Sequence, residues 1–221
     1  MVRSAVWVLG CLVLVGCGRC GRLDGLAPAD VLYVGDSVLA WNEKTCRSIG
    51  AYAAEERGVG YESVAKNGAI LLSGESSIPE QHLDGSWSTV VIDGGANDLN
   101  SGCECGDCDG LMARLASEDG TTGAMPDLVD RWVAEGADVL LLGYYPVPDS
   151  AWYGFDRCFD TITELDRRYA LVAEQREHVR FFDLGDVIGP DGEGGVYAFD
   201  FTHPSPKGAQ LLGEAVAAQL P

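Results

Sequence analysis

Five short apolar runs, separated by longer helical patterns, constrain this chain more than any other feature. Val31–Val34, Tyr61–Ala65, Thr89–Asp93, Asp138–Leu142 and Val179–Leu184 each read as a strand. Between them lie stretches with helical spacing, from Ser37 to about Arg57 closed by Gly58, then about Asp109–Ser117, Asp127–Glu135 and Thr161–Glu177. A last helix follows Ser205-Pro206, an N-cap residue and a proline suited to a first turn, with Ala209, Leu212 and Val216 as its buried face. Strands that alternate with helices predict an α/β domain, a parallel sheet with crossover helices. At 221 residues and 47% hydrophobic, the chain can bury one substantial core. Ligands of such sheets bind beyond the carboxyl ends of the strands, so residues that follow strand ends are the candidates for chemistry.

Residues 1–16 are a different kind of sequence, with Arg3, the apolar run Ala5–Val15, and then Gly16-Cys17. The run is too short to serve comfortably as a spanning anchor and has the form of an export signal. Leu14-Val15-Gly16-Cys17 resembles the lipobox of bacterial lipoproteins, which implies that Cys17 becomes the lipidated first residue. An ordinary secretory signal, cut nearby or retained, is the alternative. The expected organisation is a lipoprotein-type leader over 1–16, a lipidated tether over 17–29 and one folded domain over 30–221. The protein would then be exported and membrane-anchored through lipid at Cys17, on the periplasmic or cell-surface side. Its charge is −19, from 15 Lys and Arg against 34 Asp and Glu, and removal of Arg3 with the leader makes it −20. With no basic footprint, nucleic acid is excluded as a partner. Oligomeric state is not written in the sequence.

Eight cysteines are present. Setting aside Cys11 in the leader and Cys17 leaves Cys20, Cys46, Cys103, Cys105, Cys108 and Cys158. Export makes disulfides the default for these six, among 15 possible connectivities. Cys103, Cys105 and Cys108 with Cys46 or Cys158 lack the spacing of a zinc site, so no metal is expected.

Three blocks carry the chemistry. Gly35-Asp36-Ser37 follows the first strand, Gly95-Ala96-Asn97-Asp98 the third, and Asp200-Phe201-Thr202-His203-Pro204 precedes the last helix. A serine hydroxyl attacks only when a base takes its proton, and that base needs a carboxylate to fix its tautomer. Ser37, His203 and Asp200 supply those parts. Each block alone reads as a turn, a cap or a solvated loop; their order and their places beside strand and helix ends make the joint reading chemical.

With these blocks the chain resembles the SGNH, or GDSL-like, hydrolases over roughly Asp30–Leu220, with Val38 in place of the usual Leu. The resemblance implies a three-layer α/β/α, flavodoxin-like fold with a parallel sheet of about five strands. It further implies catalytic Ser37, Asp200 and His203, and an oxyanion hole from the Ser37 and Gly68 backbone N–H groups and the Asn97 side chain. Gly68, in Asn67-Gly68-Ala69, is the better match to the glycine block; Ser73-Gly74-Glu75 is the alternative. Glycine suits that position because no side chain hinders approach to the substrate carbonyl. No cofactor is implied. Asp36 and Asp98 are expected to support loop geometry, and His82 and His178 to lie on the surface.

The leading function is a lipoprotein serine hydrolase of carboxylic (acyl) esters, acting through an acyl-enzyme on a small-molecule or glycan acyl ester. A polysaccharide O-acetyl esterase or acetyltransferase of the cell envelope is one alternative. A non-enzymatic surface binding lipoprotein is another. Trp41 and the aromatic stretch from Tyr144-Tyr145-Pro146 through Trp152-Tyr153 are candidates to line the pocket, to form a hydrophobic lid or merely to pack. A disulfide from the cysteine loop to Cys46 or Cys158 would shape the substrate entrance.

Overall fold

A computed structural model describes residues 20, 30–72, 74, 77–191 and 193–221. The leader over 1–16, Cys17, the tether apart from Cys20, and Ser73 and Glu75 of the alternative glycine block lie outside the described residues. One parallel sheet holds β1 (Val31–Val34), β2 (Tyr61–Ser63), β3 (Thr89–Ile92), β4 (Asp138–Leu142) and β5 (Val179–Phe182), in the order β2-β1-β3-β4-β5. This is the flavodoxin-like order, in which the direction of winding reverses beside β1 and β3. Every residue of β1 and β3 is buried, as a continuous apolar run requires when helices cover both faces of a sheet.

The helices are α1 (Ser37–Ala40), α2 (Ile49–Arg57), α3 (Ala96–Cys103), α4 (Asp109–Leu115), α5 (Ala124–Ala134), α6 (Phe159–Glu174) and α7 (Pro206–Gln219). Capping explains two of their ends. Ser48 Oγ accepts from the Ala51 N–H at 3.1 Å to start α2, which stops at Gly58 in the left-handed region. Ser205 Oγ accepts from the Gly208 N–H at 3.1 Å, with Pro206 in the first turn of α7. These two helices pack together, and Ile49 and Ala53 on one and Leu212 and Val216 on the other are wholly buried.

Two expectations change. The single helix from Ser37 to Arg57 is two helices separated by a 3-10 turn at Glu43–Thr45. Asn42 and Cys46, which flank that turn, take left-handed φ angles of 64° and 55°. Both are fastened from afar, Asn42 Nδ2 donating to the Pro204 carbonyl at 3.0 Å and Cys46 bonding to Cys20. Local periodicity passes straight through a break made by distant partners. The second change is α3, where a turn after β3 was the local reading. Smaller shifts move the start of α5 to Ala124 and the ends of β2, β3 and β5 inward to Ser63, Ile92 and Phe182. The other bridges are Cys103–Cys108 and Cys105–Cys158, so Cys158, not Cys46, ties the cysteine loop down.

Candidate active site

Ser37 sits at the first turn of α1, directly beyond β1. Asp36 caps that helix, its Oδ1 accepting from the Val38 N–H at 2.9 Å. Gly35 is required for close approach, because a Cβ there would fall 1.8 Å from Asp93 Oδ1 at the end of β3. The Gln81 side-chain amide holds both Gly35 backbone groups at 2.8 Å.

His203 arrives on the loop before α7, where Phe201 takes a left-handed φ of 53° and folds the loop back on itself. Asp200 Oδ1 accepts from the backbone N–H groups of Thr202 at 3.1 Å and His203 at 3.0 Å. Its Oδ2 lies 2.7 Å from His203 Nδ1, and His203 Nε2 lies 2.8 Å from Ser37 Oγ. Burial would raise the Asp200 carboxyl, but the His203 ring and these two backbone donors outweigh it and hold the group below its usual range. Asp200 is therefore a carboxylate whose oxygens are committed to orienting His203. Trp41 lies flat on the imidazole, centroids 3.9 Å apart and planes 6° from parallel, so of its candidate roles it takes packing. Tyr153 meets the same ring edge-on at 6.2 Å.

Opposite this chain, Gly95 starts α3 with a φ of 104°, and a Cβ there would strike Tyr169 Oη at 2.8 Å. Asn97, in the first turn, donates from Nδ2 to the Ala69 carbonyl at 3.0 Å and lies 3.4 Å from Asp36 Oδ2. Asp98 accepts from the Leu71 and Leu72 N–H groups at 2.7 and 2.9 Å, which binds the loop after β2 to α3. Gly68 lies on that loop, exposed, with a φ of 72° and open space where a Cβ would be. Neither the Ser37 nor the Gly68 backbone N–H finds a hydrogen-bond partner among the described residues. His82 and His178 are exposed, as expected.

Two contacts escaped the sequence reading, although Tyr144 was already a candidate to line the pocket. Tyr144, just beyond β4, donates its hydroxyl to Asp36 Oδ2 at 2.8 Å; its place after a strand end was the available signal. Asp93, at the end of β3, accepts from the Asp36 N–H at 2.6 Å and leaves Oδ2 unpartnered among the described residues. Burial first, and then the Asp36 charge, push Asp93 well above the carboxylate range, while Asp36, also raised by burial, is favoured as the ion by Val38 and Tyr144.

A cavity of about 480 Å³ opens beside Ser37 and His203. Tyr145, Pro146, Phe159, Ile162 and Phe181 give it apolar walls, so the first part of the aromatic stretch does line the pocket. Trp152 and Tyr153 belong instead to a 3-10 segment, Trp152–Arg157, seated on the Asp200–His203 loop by Trp152 N–H to Asp200 O and Thr202 Oγ1 to Trp152 O, both 3.0 Å.

The sequence model described as the GDSL-like lipase/acylhydrolase family matches residues 33–211. Among curated proteins, none matches this chain. Solved structures do. A carbohydrate acetylesterase from Sinorhizobium meliloti is 20% identical, with a TM-score of 0.63 over 87% of this chain and 98% of that one. An inhibitor-bound aryl esterase from M. smegmatis has the same identity, TM-score and coverage. A carbohydrate esterase family 2 enzyme with a carbohydrate-binding domain, from Corynascus thermopiles (Myceliophthora fergusii), is 18% identical, with a TM-score of 0.58 over 90% of this chain and 67% of that one. At these identities the likeness is one of fold.

Proposed function

The chain belongs to the GDSL-like lipase/acylhydrolase family and is a serine esterase of that type, and from this premise we propose that it cleaves carboxylic esters with Ser37 as nucleophile, His203 as base and Asp200 as orienting carboxylate. The observation that carries this reading is the unbroken hydrogen-bonded chain from Asp200 Oδ2 through His203 to Ser37 Oγ, with links of 2.7 and 2.8 Å. His203 Nε2 takes the Ser37 proton as Oγ attacks the ester carbonyl. The oxyanion is met by the Ser37 and Gly68 N–H groups and by Asn97 Nδ2, which would exchange its longer, 3.4 Å contact with Asp36 for the oxyanion. The alcohol leaves with the proton from His203, and water, activated by the same imidazole, releases the acid from the acyl-serine. A second alcohol in place of water would give transfer instead of hydrolysis.

The test is fluorophosphonate labelling of the purified protein followed by peptide mapping, beside turnover of p-nitrophenyl esters of graded chain length. A single adduct on Ser37 with turnover is the expected result. A folded sample that neither labels nor turns over defeats the reading and leaves a binding protein. Asn97→Ala is expected to lower kcat by about 10²–10³ while KM moves little, as for loss of one side-chain oxyanion donor; an unchanged kcat removes Asn97 from the hole.

Export as a lipoprotein anchored at Cys17 is part of the same proposal. Three disulfides support an oxidising compartment. Cys17→Ser is expected to move the protein from the membrane to the soluble fraction, and unchanged membrane association would defeat the lipid anchor.

A further inference from the structure

The cavity beside Ser37 carries an acidic wall that ester cleavage does not use. Asp166, on α6, is 8% exposed; its Oδ2 accepts from the Tyr144 N–H at 3.2 Å and its Oδ1 has no hydrogen-bond partner among the described residues. Asp183 and Asp186, beyond β5, line the same cavity. Arg167 also lines it, paired at 2.7 and 2.8 Å with Glu164, a carboxylate that Arg168 shares at 2.7 Å. Three carboxyl groups thus face one space against a single cationic side chain, Arg167, in a chain already at −19. Burial, and then the Asp183 charge, oppose ionisation of Asp166 and lift it well above the usual range, against the one Tyr144 N–H that favours the ion. A positive group beside it would reverse that balance.

The remaining wall is aromatic. Phe181 and Asp166 converge over Gly143, where a Cβ would meet Phe181 Cζ at 2.8 Å and Asp166 Cγ at 3.1 Å. Tyr145 and Phe159 face the same cavity. Aromatic faces with adjacent carboxylates form the recognition chemistry of organic cations. We propose that this pocket is a subsite for an ammonium group joined to the cleaved ester by a short apolar spacer. The proposal rests on the Ser37 reading and names the substrate class for it.

Tyr144 sets the spacing. Its hydroxyl bonds Asp36, the neighbour of Ser37, and its backbone N–H bonds Asp166. Nucleophile and acidic wall are therefore about one tyrosine side chain apart, a span that a few methylenes cover. Sugar hydroxyls would satisfy the Asp166 oxygen but would bring no cation to offset Asp183 and Asp186 or to favour ionised Asp166. An ammonium group answers both needs.

The experiment compares kcat/KM of the full chain for trimethylammonioalkyl esters, with spacers from ethyl to hexyl, against their neutral tert-butyl analogues. The charged ester is expected to be preferred by about tenfold at the best spacer. That preference should collapse toward unity in Asp166→Asn, which keeps an acceptor for Tyr144, and fall in the exposed Asp186→Asn, which leaves the fold untouched. A wild-type preference of one or less, a ratio unmoved by both variants, or better turnover of acetylated sugars than of either ester overturns the proposal. If neutral p-nitrophenyl esters are cleaved and Ser37 labels, such a failure belongs to the subsite alone. Binding of tetramethylammonium to Ser37→Ala, followed by calorimetry, reads the pocket without turnover. Binding that weakens in the added Asp166→Asn supports the subsite, and no binding overturns it.

Discussion

Ser37→Ala is expected to lower kcat for any good ester substrate by about 10⁶, the scale on which comparable triads fail when the serine is removed. The variant deletes the Oγ that lies 2.8 Å from His203 Nε2 and leaves a methyl group on the same α1 turn, so the fold has no reason to change. His203 remains oriented by Asp200, and the oxyanion donors remain, which leaves a residual rate over water of about 10³–10⁴. Fluorophosphonate labelling should vanish with the hydroxyl. Circular dichroism and the melting temperature, compared with those of the wild type, separate this outcome from unfolding. Labelled protein, or kcat within about tenfold of wild type, would place the nucleophile elsewhere.

Asp200→Asn is the second large effect, with kcat expected to fall by about 10⁴. The amide oxygen can keep both backbone bonds, from Thr202 at 3.1 Å and His203 at 3.0 Å, so the loop stays closed. The amide nitrogen then occupies the Oδ2 position, 2.7 Å from His203 Nδ1 in the native arrangement. Being a donor, it selects the imidazole tautomer whose proton sits on Nε2, and that nitrogen can no longer accept from Ser37. Geometry survives and the base is lost. The labelling rate of Ser37 should fall in parallel with kcat, and an undiminished kcat would remove Asp200 from the mechanism. Because the native pKa of Asp200 is depressed, its contribution to stability is present above the ordinary carboxylate range and is lost as pH falls through the lowered native value. Acid melting should therefore show Asp200→Asn losing less stability than wild type below about pH 4.

The sheet and most helices were legible because their signals are local. An apolar run such as Val139–Leu142 or a capped start such as Ser205-Pro206 needs no knowledge of distant residues. The site was legible for a related reason: Ser37, Asn97 and the Asp200–His203 pair each fall in a short block beside a strand or helix end, and the fold brings those ends together. What stayed hidden depends on contacts between remote positions. The helix break near Asn42 is held by Pro204. Tyr144 reaches Asp36 across 108 residues. Trp41 finds His203 only after the two ends of the domain meet. Disulfide partners belong to the same class, since Cys105 and Cys158 are 53 residues apart and nothing local selects one pairing among 15.

That bridge has a consequence for how substrates are chosen. The segment that bears Trp152 and Tyr153 is riveted at one end by Cys158 and at the other by the backbone of Asp200, while Asn100 Nδ2 grips the Tyr153 carbonyl at 2.8 Å. Phe155 of this segment lines the cavity, and a rim held at three points is a doorframe rather than a door. Under the proposed esterase reading, discrimination is expected to fall on the fixed width of an aperture, the ordering entropy that a closing flap would cost at each turnover having been met once, when the chain folded and its thiols were oxidised.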